Sequence, residues 1–284
     1  MEQVRKNIEW IDGAKGVAII SVILLHCIPC LREIGDWYHI GQAVPVFIFI
    51  SSYLTSLYYE SLRKYYDFKR IIKVLRRICL PVLIVLVCEL LICYIHTGYI
   101  IPLKPLLLNG GCMGPGSYYP IMYICMWSIL PFIVLLVKRL PLLASLMIML
   151  ALSAGSEYGV TLLVDKVSHL DQLYRLSPIR YLMIMYLGCV FPRLTKSWKT
   201  VYVILAILGG VMAYYVIYIS HNSLIITPLW WRGDHWYTVL YVYFPLLLLQ
   251  RVHFGEVLQW LGKHSWEIFC FQMFVFYCVD LKFL

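Results

Sequence analysis

Apolar runs, each about as long as a bilayer-crossing helix, recur from one end of this chain to the other. They fall at residues 11–30, 38–59, 78–97, 118–137, 139–155, 178–192, 200–219, 236–250 and 265–283. A helix crosses the ~30 Å hydrocarbon layer in about 20 residues, and within lipid its backbone polar groups must pair inside the segment. The runs therefore predict an all-α fold, a polytopic transmembrane helix bundle of about nine to ten spans. Only 14% of the 284 residues are charged, with a mean hydropathy of +0.78; a soluble domain carries about 25% charge. No stretch between the runs is long enough for a separate soluble unit, and no internal repeat is visible. Residues 1–284 read as a single integral-membrane domain. A cleavable signal peptide is not expected, because the first run is too long, is polar at its start and lacks a small-residue cleavage site.

The net charge of +9 does not point to nucleic acid, because the basic residues sit between the apolar runs. With the N-terminus cytoplasmic, the inner segments hold 16 Lys and Arg residues and the outer segments hold 5. That bias is the positive-inside pattern. Pairs such as Trp37-Tyr38, Tyr118-Tyr119, Trp230-Trp231 and Trp236-Tyr237 cluster at run ends, as interfacial belts do. Residues 98–117 and 156–177 are too polar or too rich in Gly and Pro to span, and read as loops or short re-entrant pieces. The ten cysteines lie mostly inside apolar runs as small hydrophobes. The single C-x-x-C, Cys27 to Cys30, lacks a thioredoxin-like context, and no metal site is expected.

Three ionisable residues interrupt the first run, WIDGAKGVAIISVILLHC: Asp12, Lys15 and His26. At about 100° per residue, Lys15 and His26 lie about 20° apart around a helix, and Asp12 about 40° from His26 on the other side. One polar stripe thus climbs ~16 Å between Lys15 and His26. Ionisable groups inside a membrane helix are costly and more often functional than structural, although interhelical glue is the simpler role for His26. Imidazole can take and return a proton near neutral pH, so His26 is a candidate general base. Asp12 and Lys15 can equally form an ion pair three residues apart, with Lys15 snorkelling.

A second feature is DFKRIIKVLRRICLP, residues 67–81, where Arg70, Lys73, Arg76 and Arg77 precede an apolar stretch. Their spacing reads as one helical face, serving either the positive-inside rule or the recognition of phosphate by Arg forks. Further short stretches mix Gly, Ser, Tyr or charge into apolar runs: residues 41–54, 114–127, 177–189 and 261–272. Glu89 and Glu267 are acids within runs, and a buried acid in lipid needs a partner.

In this order, the stretches resemble the membrane-bound acyltransferase-3 family, multi-span bacterial enzymes that O-acylate surface and secreted glycans. The family's Arg, ten residues, His corresponds to Lys15 and His26, preceded by Asp12. Its P-x-F-F-x-x-S-G element resembles PVFIFISSYL, with Ser51 matching and Ser52 at the usual Gly. RRICLP matches the basic run ending in Pro, and GPGSYY matches Gly-x-x-Trp-Tyr, with Tyr118 for Trp and Tyr119 retained. GKHSWEIFCFQ resembles the closing G-K-x-S element, with Gln272 where His is usual.

The resemblance implies an O-acetyltransferase of the bacterial cytoplasmic membrane with no bound cofactor. Acetyl-CoA would be the donor, and a cell-surface or lipid-linked glycan the acceptor. Lys73, Arg76 and Arg77 would hold the coenzyme A phosphates. Lys15 would lie at the entrance or along the path of the pantetheine arm, and Asp12 would pair with a cation or set local charge. Ser51, Tyr119 and Gln272 would line the pocket, and His26 would act as general base or acyl relay. Two other readings stay open: a transporter or flippase of a lipid-linked sugar, and a non-catalytic relative.

Overall fold

The computed structural model describes residues 2–28, 43–194, 197–201, 204, 207, 208, 252 and 254–281, with residues 2–8 as backbone only. All regular structure among them is helical. The order is α1 (Glu2–Cys27), α2 (Ala43–Tyr58), α3 (Leu62–Tyr65), α4 (Phe68–Thr97), α5 (Leu103–Leu108), α6 (Tyr118–Arg139), α7 (Leu142–Leu163), α8 (Leu170–Leu176), α9 (Leu182–Val190), α10 (Glu256–Lys263) and α11 (Ser265–Asp280). Four of these are long and apolar enough to cross a membrane: Glu9–Cys27, Phe68–Thr97, Tyr118–Arg139 and Leu142–Leu163. The expected runs at 200–219 and 236–250 lie almost wholly outside the described residues. The run at 178–192 is not one regular α-helix. It forms α9 between two 3-10 turns, Pro178–Tyr181 and Phe191–Arg193, each opened by a proline at its first or second position. Every residue from Met183 to Val190 is buried, which is why this segment is apolar all round.

Local chemistry sets the longest helix. Asp67 caps α4 by accepting from the Lys69 N–H at 3.1 Å, and Gly98 ends it in the left-handed conformation (φ 72°). Thirty residues make a helix of ~45 Å, longer than a bilayer core needs. Its first ten residues carry the cations and its last twenty carry the apolar run. Between α6 and α7 the chain breaks at Leu140-Pro141, because proline lacks the N–H that would continue the ladder.

Close helix contacts depend on glycine. A Cβ on Gly262 of α10 would run into the Asp12 carbonyl oxygen, and one on Gly16 would run into the Leu258 carbonyl. The GKHS stretch therefore carries glycine where α10 crosses α1. Gly188 likewise lets α9 approach the Phe49 carbonyl of α2, where a Cβ would lie 2.6 Å from the oxygen. Gly114 abuts the Met273 backbone, and Gly116 abuts the Phe269 ring, so GPGSYY packs directly on α11.

The 109–117 segment is pinned beside the middle of α4. Glu89, fully buried, accepts from the Met113 N–H at 2.7 Å and the Gly114 N–H at 3.1 Å. The buried acid thus has its partner, and two backbone donors are satisfied with it. The intervening loops also segregate. Lys104 of the 98–117 segment and Arg175 of the 156–177 segment line one cavity. Lys138 donates to the Tyr59 carbonyl at 3.2 Å, and Arg193 donates to the Val137 carbonyl.

Candidate active site

A cleft of about 300 Å³ opens between α1, α2, α4, α6 and α11. Lys15, Arg70 and Arg77 supply its cations, and Ser51, Thr55, Tyr119, Tyr123 and Ser265 its hydroxyls. Along α2 the lining runs from Val44 to Thr55, a length of ~16 Å, so the cleft is a slot rather than a bowl. Its walls are mainly aromatic: Tyr119, Tyr123 and Trp127 from α6, and Trp266 and Phe269 from α11. Tyr119 packs on Phe269 with ring centroids 5.3 Å apart, and Trp266 stacks on Phe269 at 5.8 Å. The Ser51 hydroxyl lies 3.4 Å from that of Tyr123.

Lys15 is held at this wall by Asp12, whose carboxylate lies 3.4 Å from the ammonium. Asp12 itself is buried and does not line the cleft; its place is behind Lys15. The ion pair and the cleft position are compatible, because the salt bridge orients the stem while part of the ammonium faces the slot.

The basic run divides. Arg70 and Arg77 reach the cleft, while Lys73 and Arg76 do not. Seven residues return a helix to within about 20° of its starting direction, so Arg70 and Arg77 share a face. Three-residue steps drift by about 60° each, which carries Arg76 about 120° from Arg70. Arg76 accordingly borders a different, apolar recess with Cys79, Leu83 and Pro120. The Arg70 guanidinium also lies 4.5 Å from the centre of the Tyr65 ring, a cation–π contact that steadies it at the mouth. Burial pushes the Tyr65 hydroxyl up from its ordinary value, so this platform stays neutral.

His26 lies one turn past Val22, the furthest residue of α1 in the lining, and within about 40° of it around the axis. Lys15, Val22 and His26 thus follow one face of α1, with the imidazole beyond the end of the slot. Its ring packs against Phe276 of α11 at 5.5 Å. Gln272 lies one turn earlier on α11, buried, and neither its amide oxygen nor its nitrogen has a hydrogen-bond partner among the described residues. The Trp266 indole N–H is in the same condition. Such groups cost about 1–3 kcal/mol each when left unpaired. Glu267 is exposed and takes no part.

The sequence had named Lys15, Ser51, Tyr119 and Arg77, and the structure brings them together. Arg70 was visible in the basic run, and its i,i+7 relation to Arg77 marks it as the cleft partner. The aromatic wall was also legible in principle: Tyr119, Tyr123 and Trp127 recur every four residues, which is one helical stripe. Trp266 and Phe269 gave no such signal. Among the described residues no group of three His, Cys, Asp or Glu is placed to hold a metal ion.

No curated protein and no solved structure matches this chain. A family model described as an acyltransferase domain matches residues 8–283. The slot and its charged mouth lie on the same helices that carry the matched motifs, and the chain belongs to the membrane-bound acyltransferase-3 family.

Proposed function

We propose that this protein transfers an acyl group, acetyl in the simplest case, from cytosolic acyl-CoA to a hydroxyl of a cell-surface or lipid-linked glycan. One observation carries the reading: three cations, Lys15, Arg70 and Arg77, converge on an aromatic-walled slot that continues along one face of α1 toward His26. With the N-terminus cytoplasmic, as the charge bias favours, the mouth opens where acyl-CoA is found. Arg70 and Arg77 take the coenzyme A phosphates, because a guanidinium fork fits phosphate oxygens in pairs. Exposed Lys73 adds charge at the approach, and Arg76 contributes only longer-range attraction. Lys15, oriented by Asp12, meets the pantetheine arm, which the walls around Ser51 and Tyr119 shield from water.

At the far end His26 removes the proton from the acceptor hydroxyl. The oxygen attacks the thioester carbonyl, the C–S bond breaks, and coenzyme A leaves as a thiol once the proton is returned to sulfur. In a relay the His26 imidazole first forms a C–N bond to the acyl carbon as the C–S bond breaks, and the acceptor oxygen then forms its C–O bond as the C–N bond breaks, with the hydroxyl proton ending on the coenzyme A sulfur. Gln272, with its amide unpaired, supplies a hydrogen bond to the reacting groups. The site belongs to a multi-pass protein of the bacterial cytoplasmic membrane.

Transfer of radiolabelled acetyl from acetyl-CoA in membrane vesicles tests this. Label reaching glycan or water with the wild type, and lost in His26→Ala, is the expected result. Equal label in both removes His26 from the chemistry. No label in either, with folded protein and acceptor present, favours a transporter or a non-catalytic relative.

A further inference from the structure

A second cavity lies at the other face of the first turn of α6. It has a volume of about 550 Å³ and is bounded by Lys104 and Asn109 of the α5 region, Tyr118 of α6, and His169, Gln172 and Arg175 of the α8 region. Tyr118 lines this cavity, and its neighbour Tyr119 lines the slot. Successive helical residues point about 100° apart, so the two spaces lie on different faces of the start of α6. The two chain segments that build this cavity, 98–117 and 156–177, are those that the charge bias assigns to the outer side.

The lining is cationic and contains no carboxylate among the described residues. Neither Lys104 nor Arg175 has a carboxylate partner among the described residues. The Arg175 guanidinium is steadied over the Tyr118 ring, 5.3 Å from its centre. The His169 Nδ1 lies 3.1 Å from the Gln172 amide oxygen, which orients the imidazole at the rim. Asn109 is fixed by donating to the Cys112 carbonyl at 2.9 Å. Two uncompensated cations, an aromatic ring and two side-chain amides form a surface suited to a sugar that carries negative charge. The amides meet hydroxyls, and the cations meet a carboxylate or phosphate.

Resting on the acyltransferase reading, we infer that this cavity is the acceptor site, that it selects an anionic saccharide, and that Lys104 and Arg175 are the residues that read its charge. The anion comes either from an acidic sugar or from a sugar phosphate. A saccharide seated here lies on the other side of the Tyr118-Tyr119 pair from the slot.

The test uses the full chain in lipid nanodiscs of neutral lipid, with three oligosaccharides of equal length: uronate-terminated, phosphate-terminated and neutral. Binding is measured by calorimetry without acyl donor. One or both charged probes should bind at least about tenfold more tightly than the neutral one, and the stronger of the two identifies the source of the anion. Lys104→Gln and Arg175→Gln should each weaken charged-probe binding by about tenfold, the loss of one charge-assisted contact, and leave the neutral probe unchanged. Both residues are at least partly exposed, so the variants should fold, and unchanged acetyl-CoA binding checks that. Equal affinity for all three probes overturns the inference. So does competition by an anionic phospholipid headgroup that displaces the charged sugars, since the cavity would then serve lipid. Acetyl-CoA turnover without charge discrimination refutes the acceptor site but spares the acyltransferase reading. Charge-selective binding with no acetyl-CoA consumed on any acceptor refutes the acyltransferase reading, and with it the acceptor role, and leaves the cavity as a binding site for an anionic saccharide.

Discussion

The division of the basic run yields a prediction that tests the donor site residue by residue. Arg70 and Arg77 line the slot, and Arg76, adjacent in sequence, borders the apolar recess instead. A charge-assisted hydrogen bond contributes about 1.5–3 kcal/mol, and a solvent-exposed ion pair about 0.2–1 kcal/mol. Arg70 and Arg77 are both exposed at the mouth, so each falls between these limits, at about 1–1.5 kcal/mol. Arg70→Ala or Arg77→Ala should therefore weaken acetyl-CoA binding about five- to tenfold. Seven residues place them ~10 Å apart along α4, far enough for the effects to add. The double variant should lose about thirty- to a hundredfold. Arg76→Ala should change binding less than about twofold, because its charge acts across solvent at a distance comparable with the ~10 Å screening length. Titration of acetyl-CoA into nanodisc-embedded protein, at low and at high salt, reads these values directly. The loss in the Arg77 variant should shrink as salt rises. An Arg76→Ala defect as large as that of Arg77→Ala would refute the face assignment, and no defect in the Arg70/Arg77 double variant would remove the phosphate clamp altogether.

Other outcomes follow from the packing. Gly262→Ala places a methyl group against the Asp12 carbonyl, so thermal unfolding should show a loss of about 1–3 kcal/mol, and acetyl-CoA affinity should fall with it as α1 and Lys15 shift. Glu89→Ala strands the Met113 and Gly114 N–H groups and should cost about 2–4 kcal/mol in denaturant melts, whereas Glu89→Gln keeps an acceptor and should cost less than half as much. Burial, reinforced by the Glu89 carboxylate, pushes the Cys112 thiol up to about 12. Peptide-level alkylation at pH 9 should accordingly spare Cys112 in native protein, mark the exposed Cys27, and reach Cys112 only after denaturation. Modification of native Cys112 at the Cys27 rate would mean that the 109–117 turn opens freely.

Much of this protein is set by its sequence alone. Apolar runs of bilayer length leave the backbone one way to satisfy itself, so the helical class was readable without coordinates. The stripe of Asp12, Lys15 and His26 was readable because helical periodicity is local and does not depend on neighbours. The same local rule separates Arg70 and Arg77 from Arg76, once all three are placed on one straight helix. Other features depended on residues far apart in the chain. Periodicity cannot tell a buried apolar segment from a lipid-facing one, so the burial of Met183–Val190 on every side of α9 was visible only in the packed structure. Glu89 could be marked as a buried acid, but its partners, the Met113 and Gly114 N–H groups, are backbone atoms and leave no trace in side-chain pattern. Trp266 and Phe269 line the slot from α11, and Gly114 and Gly116 let the distant 109–117 turn lie against that helix. The second cavity arises from two polar loops whose cations are about seventy residues apart. The sequence determines which residues share a helix face. Only the tertiary structure decides which faces meet, because that depends on the close approach of segments with no local relation to one another.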